Sequence, residues 1–172
     1  MQTLLPGKFT GIIQLVPADM SELLDLQAAV LDQYSDQQPN PKLHITLLHQ
    51  SFPKKVVNNQ GVRGDKAIKA LFKSGAHMSI PTPNLFLGDV KMGFDLIKDR
   101  RSSYVEIENS VACLEVRDAI LEAAGINPAD VDAILTEEER TRVFHVSLTN
   151  RDGNGGASIA YPQAGDTSLV IR

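Results

Sequence analysis

The sequence predicts an α+β domain whose sheet is mainly antiparallel. Two observations carry this. Short β-branched or apolar runs alternate with helical stripes, yet two of the runs are joined by a tight polar turn, as in a hairpin, which a doubly wound parallel sheet does not contain. Glycine and proline also punctuate nearly every boundary between patterns, so the elements are short and closely connected. At 172 residues the chain is the size of one ordinary domain, and residues 1–172 are read as a single unit with its own core.

In order, KFTGIIQLV (8–16) predicts the first strand, ended by Pro17. DMSELLDLQAAVLDQY follows as a helix with Met20, Leu23, Leu24, Leu26, Ala28, Val30 and Leu31 in one broad stripe and Asp19 or Ser21 as N-cap. SDQQPNP is a polar loop. KLHITLLH (42–49) predicts a strand. Residues 62–75, holding DKAIKALFKSG, read as an amphipathic helix stopped by Gly75. After SIPTP come NLFLGDVKMGF, the basic turn IKDRRSS and YVEIENS, a hairpin in which Tyr104, Glu106 and Glu108 face away from Val105 and Ile107. Residues 111–124 form a helix with Ala112, Val116, Ala119, Ile120 and Ala123 on one side and Gly125 beyond its end. NPADVDAIL restarts a helix from a cap-plus-proline signal. An acidic EEER, a strand VFHVSLT (143–149), a glycine-rich turn RDGNGG and a final strand SLVIR (168–172) complete the order β-α-β-α-β-β-α-(α)-β-β.

Composition narrows the class. The chain is 42% hydrophobic and 22% charged, with no low-complexity tract, which is the balance of a globular protein. No apolar run reaches the ~20 residues of a membrane span, and MQTLLPGKFTG lacks the charged-then-apolar order of a secretory signal. A single cysteine, Cys113, excludes an intrachain disulfide or a cysteine-based zinc cluster, and it reads as a small buried hydrophobe on a helix. A cytoplasmic location is the expectation. The net charge of −4 argues against wrapping long duplex nucleic acid. The charge is uneven: residues 41–110 carry eleven Lys/Arg against six acids, a +5 stretch inside an acidic chain, which suits a local anion-attracting face.

Two of the four histidines stand in the same frame. LHITL and FHVSL each run apolar, His, apolar, hydroxyl, Leu, and His44 and His145 are 101 residues apart. Residues i and i+2 of a strand share a face. His44 therefore projects with Thr46, and His145 with Ser147, while Leu43, Ile45 and Leu47, and Phe144, Val146 and Leu148, turn to the core. An imidazole beside a hydroxyl suits phosphate chemistry, since the ring gives or takes a proton near neutral pH and the hydroxyl donates to a non-bridging oxygen. A neutral and a protonated imidazole on facing strands supply base and acid for an in-line displacement. A single His-x-Thr on a strand is most often structural; the matched pair is what carries the reading.

Other chemistries find less support. His44 and His49 fall on opposite faces of an extended segment, and there is no HxH or HExxH spacing, so neither metal nor other cofactor is expected. There is no GxSxG elbow, and RDGNGG lacks the strand–glycine–helix setting of a nucleotide cradle. His49 and His77 read as boundary or surface residues. Lys42, Arg142 and Arg151 flank the two frames as candidate phosphate ligands.

The paired frames, with a helix, a strand pair and a helix between them, resemble the 2H phosphoesterases, among them the bacterial RNA 2′,5′-ligase/cyclic phosphodiesterase proteins. The resemblance runs from the first strand to the second motif. It departs from the family after the first motif, where HQSF stands in place of an aromatic-Leu-Gly run, and before the second, where the connection is longer and acidic. It implies a bilobal, pseudo-two-fold α+β fold, with two mainly antiparallel sheets flanking a central cleft, helices outside, and a motif on each wall. It also implies a metal-independent phosphodiesterase with His44, Thr46, His145 and Ser147 as catalytic residues. Members open 2′,3′-cyclic phosphates, cleave 2′,5′ bonds, trim RNA ends or destroy cyclic oligonucleotide signals, the last including phage proteins that resist CBASS immunity. With no accessory RNA-binding module in view, a small or cyclic oligonucleotide is the favoured substrate, with a cyclic-nucleotide immune signal, and so a phage anti-defence role, among the candidates it admits. The alternatives are RNA-end processing, 2′,3′-cyclic or 2′,5′ phosphodiesterase activity, and a non-catalytic nucleotide or RNA binder on the same scaffold. A bell-shaped pH–rate profile with limbs in the histidine range is expected.

Overall fold

The computed structural model describes residues 2–171. Its first element is a strand outside the predicted order, β1 (Gln2–Pro6), which pairs antiparallel with β2 (Ile13–Pro17). The predicted first strand is therefore shortened at its N-terminal side. Residues 8–12 become the connection, which turns at Gly11 in the left-handed region (φ 104°). Next come α1 (Ser21–Gln33), β3 (Gln38–Pro39), β4 (Ile45–Leu48) and α2 (Gly64–Ser74). Strands β5 (Asn84–Leu85), β6 (Leu87–Asp95) and β7 (Arg100–Ile107) lead to α3 (Ser110–Ala123). Two short helices, α4 (Pro128–Asp132) and α5 (Glu137–Arg140), then precede β8 (His145–Asn150) and β9 (Thr167–Ser168). The final strand is shorter than SLVIR, and Arg172 lies outside the described residues.

Local chemistry accounts for most boundaries. Asp19 accepts the Ser21 amide at 2.9 Å and so serves the α1 start from one residue before the cap position. Gly75 ends α2 in the left-handed conformation that glycine adopts without strain. Asn127 caps α4 through the Ala129 amide at 3.0 Å, with Pro128 at the first helical position. The β6–β7 turn is tighter than IKDRRSS suggested. It spans 96–99 and closes with Asp99 at φ 49°, a conformation aspartate tolerates better than most residues.

All sheet pairings are antiparallel, and the strand order is β5-β1-β2-β4-β8-β7-β6-β9, with β3 alongside the far end of β8. The α+β class holds. The two expected sheets are instead one continuous nine-stranded sheet. Its halves, β5-β1-β2-β4 and β8-β7-β6-β9, mirror each other about a seam where Ile45 pairs with Val146. The two histidine frames are thus neighbours across that seam rather than on facing walls.

The core lies under the seam. Leu43, Ile45, Leu47, Phe144, Val146 and Leu148 are all buried in one continuous apolar cluster with Leu23 and Val30 of α1 and Val116 and Ile120 of α3. Helix α1 packs against β8 and α3 against β4, so each helix crosses to the other half of the sheet and ties the halves together. Cys113 is buried in this cluster, and burial pushes its thiol up to about 11. No helix among the described residues is long and apolar enough to cross a membrane.

Candidate active site

The seam positions the frames. The Ile45–Val146 pair, extended one residue either way in the same antiparallel register, sets His44 opposite Ser147 and Thr46 opposite His145. Because alternate residues share a face, the two imidazoles and two hydroxyls lie together on the side away from the helices. All four line one cavity of about 350 Å³, within the range of small-molecule sites.

Both rings are held by the same device. His44 Nδ1 donates to the Lys42 carbonyl at 3.0 Å, and His145 Nδ1 donates to the Val143 carbonyl at 3.0 Å. A carbonyl only accepts, so each Nδ1 carries the hydrogen of the neutral ring and Nε2 is its basic nitrogen. At His44 that Nε2 accepts from the Thr46 hydroxyl at 3.1 Å. The carbonyl two residues upstream is thus a built-in tautomer lock, repeated in both frames.

The surroundings differ. His145 is buried, with the Tyr104 ring edge-on at 5.4 Å. Tyr104 is itself buried and donates to Asp166 at 2.6 Å, so the face turned away from Val105 is occupied rather than solvated. Burial pushes His145 down to about 4, helped by the nearby Arg142 charge and by His44 whenever that ring is protonated, and opposed by the backbone at Val143 and Ile159. His44 is only half-buried. It is also lowered, by burial first and the Lys42 charge second, against the Lys42 carbonyl. Both rings are thus held toward their neutral form in the free protein.

Of the three candidate phosphate ligands, Lys42 and Arg142 line the cavity. Arg151 does not: it pairs with Asp99 at 3.2 Å and stacks over Phe94 at 5.4 Å. Arg142 is the more constrained of the two. Its side chain is buried, pairs with Glu139 at 3.0 Å, lies 5.1 Å over the Tyr161 ring, and keeps Nε without a partner. Glu139 also accepts the Tyr161 hydroxyl at 2.7 Å and the His49 amide at 3.2 Å. One buried carboxylate therefore ties the second frame's arginine, the C-terminal segment and the end of β4 together.

Several cavity residues lay outside the sequence reading. His49 lines the cavity, its Nδ1 bonded to the Ser51 hydroxyl at 3.0 Å. Lys98 and Arg100 reach it from the β6–β7 hairpin. Gly155 and Gly156, from the glycine-rich turn, form part of its wall, and the turn is fixed by Asn150, which donates to the Asn154 carbonyl at 2.6 Å. His77 is elsewhere, stacked 4.1 Å from Phe72. Among the described residues no three His, Cys, Asp or Glu side chains gather as a metal-binding group. No protein-family model matches the chain, and neither a curated protein nor a solved structure matches it.

Proposed function

We propose that the chain is a phosphodiesterase of the 2H type, acting without a metal on a small or cyclic oligonucleotide, with His44 and His145 as its acid–base pair. The observation that carries this is the duplicated ring: two imidazoles in the same tautomer, each locked by the carbonyl two residues upstream, line one cavity with a hydroxyl beside each. The mirrored strand order about the β4–β8 seam supports the 2H fold as the scaffold.

A phosphate seated over the seam meets both Nε2 atoms. One takes the proton of the attacking hydroxyl or water as the new P–O bond forms. The other gives its proton to the leaving oxygen as the old P–O bond breaks. Thr46 and Ser147 donate to the equatorial oxygens, where negative charge grows. The more deeply buried His145, more strongly held neutral, suits the base. His44, half-buried, suits the acid, taking up its proton when the phosphate anion arrives and raises its affinity for one. Lys42 and Arg142 offset the substrate charge.

Burial displaces the expected pH profile. Because both rings lie below the usual histidine range, kcat/KM, which reports the free protein, should have its optimum on the acid side of 6.5. The profile of kcat should lie at higher pH, since bound phosphate stabilises an imidazolium. The substrate is found by incubating the protein with cyclic dinucleotides, 2′,5′-oligoadenylates and 2′,3′-cyclic nucleotides and resolving the products. Turnover lost in both His44→Ala and His145→Ala is the expected result. Recovery of every ligand intact, though bound, would instead favour a non-catalytic binder. A phage anti-defence role follows only if the member of that panel that is cut is a cyclic oligonucleotide signal.

A further inference from the structure

A second cavity, of about 470 Å³, opens beside the first between the β6–β7 hairpin and the segment 159–163. Its walls are of a different kind: Phe94, Leu96, Ile97 and the Tyr161 ring are apolar or aromatic. Leu96 and Ile97 are 82% and 96% exposed, an unusual placement for such side chains unless something covers them. The two cavities share Lys98, Arg100, Ile159 and Ala160. Tyr161 stands at their partition, because it lines the second while Arg142, stacked over the ring, lines the first.

The shared edge is cationic. No carboxylate pairs with Lys98 or Arg100 among the described residues; the Arg100 guanidinium donates only a long 3.4 Å bond, to the Ser158 carbonyl. Two of the acids nearby are engaged. Asp99 holds Arg151 and Asp95 accepts the Ile97 and Lys98 amides, while Glu138 lines the second cavity and forms no ion pair with either cation. Moving outward from the histidines, a ligand thus meets a phosphate-sized polar site, two cations, then an apolar and aromatic pocket.

Resting on the reading above, we infer that the second cavity receives the nucleoside next to the scissile linkage, with a second phosphate held between Lys98 and Arg100. The substrate class is then a nucleotide with at least two phosphates, a cyclic or terminally phosphorylated dinucleotide or a longer oligonucleotide, rather than a 2′,3′-cyclic mononucleotide. The base packs against Tyr161 and Phe94, as bases do on aromatic platforms, and the hairpin tip covers it.

Equilibrium binding to the full chain in a His44→Asn background, which leaves ligands uncut, tests this apart from turnover. The probes are the linear dinucleotide ApA, its 5′-phosphorylated form pApA, and inorganic pyrophosphate. We expect pApA to bind about tenfold more tightly than ApA, and Lys98→Ala or Arg100→Ala to remove most of that advantage. Leu96→Ser with Ile97→Ser, both exposed and so without effect on folding, should weaken both dinucleotides about fivefold and leave pyrophosphate unchanged. Equal affinity for ApA and pApA, or variants that bind all three probes like the parent, would overturn the inference even if the histidines prove catalytic. The expected binding pattern with no turnover of any diester by the wild-type chain would keep the subsite and remove the hydrolase reading.

Discussion

The frames at β4 and β8 share one five-residue pattern, one carbonyl lock and a hydroxyl two residues on, yet their histidines live in different surroundings. His145 opens its strand with Tyr104 edge-on and Arg142 close by, and it is buried. His44 sits one residue before β4, next to an exposed Lys42, and is half-buried. Local sequence sets the tautomer, because the lock lies within two residues of the ring. The tertiary neighbours set the proton affinity. On the proposed reading, a duplicated motif divides into a base and an acid without any change in the motif itself.

Replacing either ring breaks the comparison most severely. His44→Ala and His145→Ala should each lower kcat by about 10²–10⁴, the usual worth of a positioned acid or base. The double variant should be little worse than either single one, because the two act as a unit. Rapid-quench turnover measures this.

Glu139 holds the β8 side of the pair through Arg142 and also takes the His49 amide beyond the end of β4. Glu139→Ala leaves the buried Arg142 without its partner and should destabilise the fold by about 3–5 kcal/mol in denaturant unfolding, as removal of one member of a buried ion pair does. Lys42, exposed and on the β4 side, has no comparable side-chain tie among the described residues, and Lys42→Ala should leave stability nearly unchanged.

Acid should sharpen the contrast. From pH 6.5 down to 4 the unfolded chain takes up a proton at residue 145 that the folded chain refuses, so stability falls as pH falls, by up to ~3 kcal/mol from this ring. His44 acts in the same direction. His145→Gln should flatten the acid limb of the stability–pH curve, and His44→Gln should flatten it less. The smallest effects belong to the hydroxyls. Thr46→Val and Ser147→Ala should each slow kcat about tenfold, the value of one neutral hydrogen bond made in the transition state.

What the sequence disclosed follows from range. The frames, the glycine after α2 and the Asn127–Pro128 start of α4 are signals within a few residues, and they were legible. β1 was not: LLP offers too little alternation, and its partners β2 and β5 are supplied by tertiary pairing. The seam was not, because the Ile45–Val146 pairing joins strands about a hundred residues apart and no periodicity encodes it. Glu139 hid inside EEER. Three acids in one helical turn read as a solvated run, yet Thr136 caps the turn through the Glu139 amide and the third acid faces inward to Arg142 and Tyr161. Arg151 misled for the opposite reason, since adjacency to the second frame in the chain did not survive the bend at 151–153, where Asp99 and Phe94 take it up.

The central claim is that two imidazoles serve one phosphate. Nitrogen NMR of ¹⁵N-labelled histidine side chains, titrated with an uncleavable phosphorothioate dinucleotide, reads both rings at once. The account expects neutral Nδ1–H rings at residues 44 and 145 in the free protein at pH 7, and Nε2 signals of both moving along a single binding curve. Rings that respond with different midpoints, or a ligand that perturbs only one, would contradict it.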